Sequence, residues 1–316
     1  MGNIISRTNA EALIPQETAR EIIKAVQHES AALSLMRKLP NMTAKQTKIP
    51  VLSSLPVAGF VEGDTGLKSV SSAAWESKYI TAEEIAVIIP IPEAVLADAS
   101  YDIWTEIKPS VMSAFGAVID KAVFFGTDKP LTWPDAIVST AIAKDKKIEF
   151  GSGFDIAEDI SQVMGLVEKD GFDVTGFAGE IGLKSDLRGL RDKNGGLIFQ
   201  PSLTAETPST LYAQPMSYIR NGSWQSDTAK LVAGDWSQAV YSIRQDITYK
   251  ILDQAVISDA SGKIIYNLAQ QDMVALRCVM RLGWQLPNPV TQLNGTETRY
   301  PFAVLTPAAS SESTGT

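Results

Sequence analysis

The run Asp272-Met273-Val274-Ala275-Leu276-Arg277-Cys278-Val279-Met280-Arg281-Leu282-Gly283-Trp284 reads as one long strand. It is rich in β-branched and long apolar residues, which suit a pleated, half-buried surface. Strand side chains alternate between faces, so Arg277 and Arg281, four positions apart, share one face. Pro287 and Pro289 follow and end the ladder, because proline has no N–H to donate. No catalytic signature lies in or beside the run.

A chain of 316 residues holds one large or two ordinary domains. With 45% hydrophobic and 20% charged residues it can bury a substantial core. A formal net charge of −8 makes it a poor general polyanion binder, since affinity for phosphates depends on Lys and Arg displacing counterions. The single cysteine, Cys278, excludes a disulfide within the chain. Together with the single histidine, His28, it falls short of the four Cys or His ligands of structural zinc. Residues 1–16 lack the apolar segment of a signal peptide, and no run reaches the roughly 18 apolar residues of a membrane span. The expectation is a chain that folds in a reducing cytosol.

Residues 1–16 are polar and weakly patterned, as in an arm. Ile22, Val26, Leu33 and Met36 predict a helix over residues 16–39, ended by Pro40. Residues 47–92 predict a long two-stranded excursion. It has an extended run over 48–61, a turn at Glu62-Gly63-Asp64-Thr65-Gly66, and a return strand from Trp75 to Ile91. A hairpin of that length cannot bury both faces against itself, so something else must cover it.

Ile103, Ile107, Val111, Phe115, Val118 and Ala122 mark the clearest helix, over 103–125, with Gly126 as its stop; Pro109 either kinks it or marks its true start after a looser turn. Ile156, Ile160, Val163, Met164 and Val167 predict another over 154–167. A short helix over 185–192 precedes the Gly195-Gly196 turn. From about 231 the pattern changes to strands, at 240–243, 247–257, 263–266, 272–284 and 300–305, with Ser258 to Gly262 a hairpin turn. The tail from Ala308 is small and polar, the composition of a disordered terminus.

The residue patterns hold little that points to chemistry. Asp170-Gly171-Phe172-Asp173 lacks the ligand count of a calcium loop and reads as loop acidity. Cys278 lies in an apolar strand and reads as a small buried hydrophobe. There is no Gly-x-Ser-x-Gly elbow, and Gly151-Ser152-Gly153 lacks the third glycine of a dinucleotide loop, reading better as a turn before a helix. Glu83-Glu84 and Glu158-Asp159 read as solvated faces, because charges are rarely buried unless paired. The residues predict no catalytic, cofactor-binding or metal-ligating set, and no enzyme.

Several motifs carry a resemblance. They are Ala58-Gly59-Phe60-Val61-Glu62-Gly63 with Ser71-Ser72 and Trp75, then Ile89-Pro90-Ile91-Pro92-Glu93-Ala94-Val95-Leu96-Ala97-Asp98, then Asp120-Lys121-Ala122-Val123-Phe124-Phe125-Gly126. Leu187 to Gly196, Leu211-Tyr212-Ala213-Gln214-Pro215, Gly234-Asp235-Trp236 and Tyr241-Ser242-Ile243-Arg244 complete the series. In this order and spacing they are similar to the major capsid proteins of tailed bacteriophages, the Hong Kong 97 fold. The closing strand 272–284 resembles that family's P-domain strand. Ala213 stands where family members often carry glycine, which argues against a tight turn there.

The resemblance implies an α+β, Hong Kong 97-like major capsid fold. An N-terminal arm with a helix would occupy 1–46 and an extended E-loop 47–92. A P-domain of long spine helix and long β-strands would take 93–130 and 231–307. A mixed A-domain would lie between, at 131–230, and a disordered tail at 308–316. It implies a structural protein that self-assembles through pentamers and hexamers into an icosahedral virion capsid enclosing double-stranded DNA, assembled in the host cytoplasm.

Partners would be copies of itself, with scaffolding, portal and decoration proteins as further ones. DNA would be enclosed but not specifically bound, and no membrane is involved. Inter-subunit candidates are Glu62, Gly63, Asp64 and Lys68 at the E-loop tip, and Asp259, Arg277 and Arg281 in the P-domain. No scaffolding domain precedes the arm, so a separate scaffold or none is implied.

Some family members crosslink a loop lysine to an asparagine with help from a glutamate. Lys68 and Asn267 are present, but no glutamate occurs from Gln254 through Gln285, which predicts no crosslink there. An encapsulin-like compartment shell is the alternative with the same fold. A soluble α+β hydrolase with a carboxylate pair is the alternative of another class.

Overall fold

The computed structural model describes residues 30–56, 58, 60, 71, 73–94, 103–189, 210–294 and 297–308. The expected arm, and the helix up to residue 29, lie outside them. Ser30 caps a short helix, α1 (Ala31–Leu35), by accepting the Leu33 N–H at 3.2 Å. The helix expected to residue 39 stops there. Met36 is extended, and Arg37–Lys38 form β1, parallel to residues 240 and 241. Arg37 N–H to Ala239 O (3.0 Å) and Leu39 N–H to Tyr241 O (2.8 Å) satisfy the backbone as a further helical turn would have done.

β2 (Gln46–Ser54) and β3 (Ala74–Thr81) pair as an antiparallel hairpin. The return run is two strands rather than one, because Ala82 separates β3 from β4 (Glu83–Pro92), which joins another sheet. α2 (Ile103–Asp120) continues through a π-helical turn, Lys121–Phe125, and ends at Gly126 with φ 73°. Val111, Phe115 and Ala122 face the core as expected, but Val118 is 47% exposed and Ile119 takes its place. At 100° per residue both positions flank Phe115 on the helix surface, so spacing alone could not choose between them.

α3 (Ile137–Ala143) and β5 (Lys147–Glu149) lead to α4 (Ile156–Glu168). Asp155 caps α4 through a 2.9 Å bond from Glu158 N–H, and Ile156, Ile160, Val163 and Val167 are buried. β6 (Gly176–Glu180), α5 (Leu183–Gly189), β7 (Thr210–Leu211) and β8 (Gln214–Ile219) follow. β7 and β8 meet in a tight turn, with Tyr212 at φ 49° and Ala213 at φ 63°. Alanine at 213 therefore does not prevent the tight turn: the strand pairing on either side holds two consecutive residues in the left-handed region.

β9 (Leu231–Gly234), β10 (Val240–Leu252), β11 (Val256–Ser258), β12 (Ile264–Asn267), β13 (Met273–Gln285) and β14 (Phe302–Thr306) complete the chain. The strands expected at 240–243 and 247–257 are β10 and β11. β10 absorbs the gap at 244–246 as an irregular register against β13.

Four strands form one sheet in the order β1-β10-β13-β4, and six form another in the order β5-β14-β9-β6-β8-β7. β9 and β14 thus lie inside the six-stranded sheet with elements of 131–230. A division at 230/231 would cut that sheet. Its central strands β14, β9 and β6 are buried on both sides, Val232 and Phe302 toward one core, Leu231 and Ala303 toward the other. That explains apolar runs without alternation.

The main core runs from α1 and α2 through Trp236 and Phe302 to the inner face of β13, where Leu276, Cys278, Met280, Leu282 and Trp284 point inward. Full burial of a side chain such as Leu282 contributes about 2 kcal/mol. The fold is α+β with strands predominating.

Candidate inter-subunit surfaces

β13 has β10 on one side and β4 on the other, and its second face looks away from the core. A hairpin covers each end of that face. At one end Leu268, Met273 and Ala275 are buried beneath β11 and β12. At the other, Ile80 and Thr81 of β3 lie over Gly283. A Cβ built there would come 2.7 Å from Ile80 Cγ2 and closer still to Thr81 O. Only glycine admits that approach.

Between the hairpins the sheet is open, and the two arginines singled out in the sequence part company there. Arg281 faces Glu84 across β4, and its Nε donates to Glu84 Oε2 at 2.7 Å. Arg277 faces Ile88 on β4 and Lys250 on β10, and all three are exposed. Lys250 had no signal in the sequence that set it apart, because its place opposite Arg277 depends on the irregular β10 register. Asp259 is committed to its own hairpin turn. Its Oδ1 accepts from Ser261 N–H (2.9 Å), Ser261 Oγ (2.6 Å) and Lys263 N–H (3.0 Å), and these bonds, led by the Ser261 hydroxyl, hold its pKa below the usual value. Asn267 Nδ2 donates to Gln270 Oε1 at 2.8 Å. Glu62, Gly63, Asp64 and Lys68 lie outside the described residues.

The β2–β3 hairpin has two unlike faces. Val51 and Ile80 are buried on the inner one, and Val290 N–H and Gln285 Nε2 hold the edge by bonding Leu52 O (3.2 Å) and Tyr79 O (2.9 Å). A cavity of about 350 Å³ between hairpin and body is lined by charged as well as apolar groups, among them Glu76, Lys78, Lys144 and Arg299. On the outer face Trp75 stands opposite Leu52, and Tyr79 opposite Lys48. Trp75 is 68% exposed.

Three carboxylates are buried, among them Asp159, which the sequence read as part of a solvated face. Asp120 accepts from Ser30 Oγ, Ala31 N–H, Ala32 N–H and Asn221 Nδ2. Asp159 gathers the 151–153 turn, accepting Gly151 N–H (2.7 Å), Gly153 N–H (2.6 Å) and Ser152 Oγ (3.1 Å). Asp170 is ion-paired to Lys146 at 2.7 Å and also accepts from Asn294 Nδ2 and Tyr300 N–H. Each is fully supplied with donors, which is what permits burial. Tertiary partners supplied those donors to Asp120 and Asp170, so the sequence held no sign of them.

Cys278 is buried, and burial pushes its thiol up to about 12, far from thiolate chemistry. Among the described residues no group of three or more His, Cys, Asp or Glu is placed to hold a metal, and no helix is long and apolar enough to cross a membrane.

Comparison with known proteins gives a consistent answer. The profile of the Phage capsid family matches residues 10–290. The major capsid protein of Staphylococcus phage 80alpha is 24% identical over 285 residues, 89% of this chain and 84% of that protein. A solved structure from Microbacterium phage Oxtober96 is 42% identical, covers 88% of this chain and 91% of its own, and superposes with a TM-score of 0.76. One from Mycobacterium phage Adephagia is 32% identical, covers 89% and 90%, and has a TM-score of 0.77. With the family profile spanning most of the chain and the fold shared over nearly nine-tenths of it, this chain belongs to the phage capsid family.

Proposed function

We propose that the protein is a phage major capsid protein whose work is to assemble with copies of itself into the closed shell of a virion. The observation that carries this reading is the β2–β3 hairpin. It leaves the body with one face covered by its own chain and the other, with Trp75, Pro50 and Tyr79, left open. Apolar area of that kind gains about 25 cal/mol per Å² when a neighbour covers it. Lying across an adjacent copy does so, and repetition around a ring closes the assembly.

On this reading the hairpin and its connection are the E-loop. The four-stranded sheet with α2 is the P-domain. The six-stranded sheet with α3, α4 and α5 is the A-domain, which then includes 231–234 and 302–306. Pentamers and hexamers would be the capsomers, double-stranded DNA the contents, and the host cytoplasm the place of assembly. Scaffolding, portal and decoration proteins would be the further partners. The acidic chain encloses DNA without gripping it.

Negative-stain microscopy and sedimentation of the purified protein test the proposal. Closed particles or capsomers are expected, and a protein that stays monomeric under all assembly conditions would overturn it. Trp75→Ala should leave the monomer's denaturation midpoint nearly unchanged, because the side chain is exposed, and should strongly reduce particle yield.

A further inference from the structure

The bend after β8 contains the dipeptide Asn221-Gly222, and the asparagine amide is held at both ends. Nδ2 donates to the buried Asp120 Oδ2 at 2.9 Å. Oδ1 accepts Ser223 N–H at 3.1 Å and Ser223 Oγ at 2.5 Å. The backbone bond closes an Asx turn, a ring that includes the Asn221 Cγ and the Gly222 nitrogen and folds one toward the other. Trp224 anchors the bend, with Nε1 donating to Ala229 O at 2.6 Å and its ring against Phe124 and Phe125. Gly222 has φ 72°, with nothing within 4 Å of the place a Cβ would take. It is exposed, and among the described residues no backbone carbonyl takes its N–H.

We infer that Asn221 is a self-modification site, at which the Gly222 nitrogen attacks the Asn221 Cγ and the amide becomes first a succinimide and then isoaspartate or aspartate. The N–Cγ bond forms and the Cγ–Nδ2 bond breaks. The proton lost from the Gly222 nitrogen passes through water to Nδ2, which leaves as ammonia. A water molecule then opens the imide at either carbonyl and leaves a carboxylate. Nothing is oxidised or reduced, and water is the one co-reactant.

The bend favours this reaction in three ways. Negative charge develops on Oδ1 during the attack, and the two Ser223 donors are already aimed there, as in an oxyanion hole. Glycine leaves its nitrogen unshielded, having no Cβ. A folded chain usually slows such a reaction by holding Cγ and nitrogen apart, whereas the Asx turn folds them together.

The product also has a consequence for the fold. The new carboxylate faces Asp120, and two carboxylates that close cannot both remain ionised. Ser30, Ala31 and Ala32 share Asp120 as their acceptor, so conversion at 221 loosens α1. The change is irreversible and acts as a clock on that joint.

Peptide mapping by mass spectrometry tests this on the full-length protein, stored at neutral pH in buffer and in urea. Asn221 should convert faster in the native chain than in urea, by about tenfold. Ser223→Ala should slow the native reaction by at least about tenfold and leave the rate in urea unchanged. Native conversion no faster than that in urea would overturn the inference, whether or not the Ser223 variant folds. So would a folded Ser223 variant that converts at the wild-type rate. Asn221→Asp, or the converted fraction of aged wild type, should exchange the amides of Ala31–Leu35 about tenfold faster. Unchanged exchange there would overturn the loosening of α1.

Discussion

Ser30 and Asp120, 90 positions apart in the chain, share a buried 2.7 Å hydrogen bond. Ala31 and Ala32 N–H and the Asn221 amide turn to the same carboxylate. One side chain thus ties the start of α1, the end of α2 and the loop after β8 into one joint. The π-helical turn begins at the next residue.

Asp120→Ala should therefore destabilise the unassembled chain by about 3 kcal/mol, because three segments lose a shared acceptor and leave donors buried. Burial pushes the Asp120 pKa up, against the four donors that lower it. A raised folded value means that its contribution is full below the unfolded carboxylate value and declines as pH rises through the folded one. Urea denaturation should show the gap between wild type and variant widening on acidification. A gap that narrows instead would count against the buried joint.

Asp170 should behave with the opposite sign. Burial opposes its ionisation, but Lys146, Asn294 and the Tyr300 N–H outweigh burial and hold its pKa below the usual value. Its contribution is present above the unfolded value and is lost as pH falls through the folded one. Asp170→Asn should cost roughly 3 kcal/mol at pH 7, since Lys146 is left buried without its partner. The cost should shrink once the pH drops below about 4. Denaturation midpoints of both proteins measured from neutral to acid pH decide the matter.

Gly283→Ala should lift the hairpin from the sheet, because the new methyl meets Ile80 and the Thr81 carbonyl. The expected loss is about 2 kcal/mol. Gly165→Ala, inside α4 with nothing within 4 Å of the new methyl, should instead gain about 1 kcal/mol. Equal effects at the two sites would refute the close crossing of β3 over β13.

Ala213→Gly should stabilise the chain by about 0.5 kcal/mol, because relief of the left-handed backbone at φ 63° exceeds the entropy that glycine adds to the unfolded chain. A loss of stability would argue that the turn relaxes out of that conformation.

Local chemistry made much of this molecule legible. The long strand at β13, the stop at Gly126 and the apolar face of α4 are written in neighbouring residues, since side-chain period and backbone preference are local properties. The break at Ala82, the extension of Arg37–Lys38 along β10 and the exchange of Val118 for Ile119 were not legible. In each case the residue types suit either outcome, and a partner from a distant part of the chain selects one.

The surface candidates divide in the same way. Composition and alternation alone placed Arg277 and Arg281 on one strand face and marked them as equivalent. The tertiary structure made them unlike, giving Arg281 a carboxylate from β4 and setting Arg277 against Lys250. Strand register causes the difference: it is a relation between segments far apart in the chain, and neither segment carries it alone.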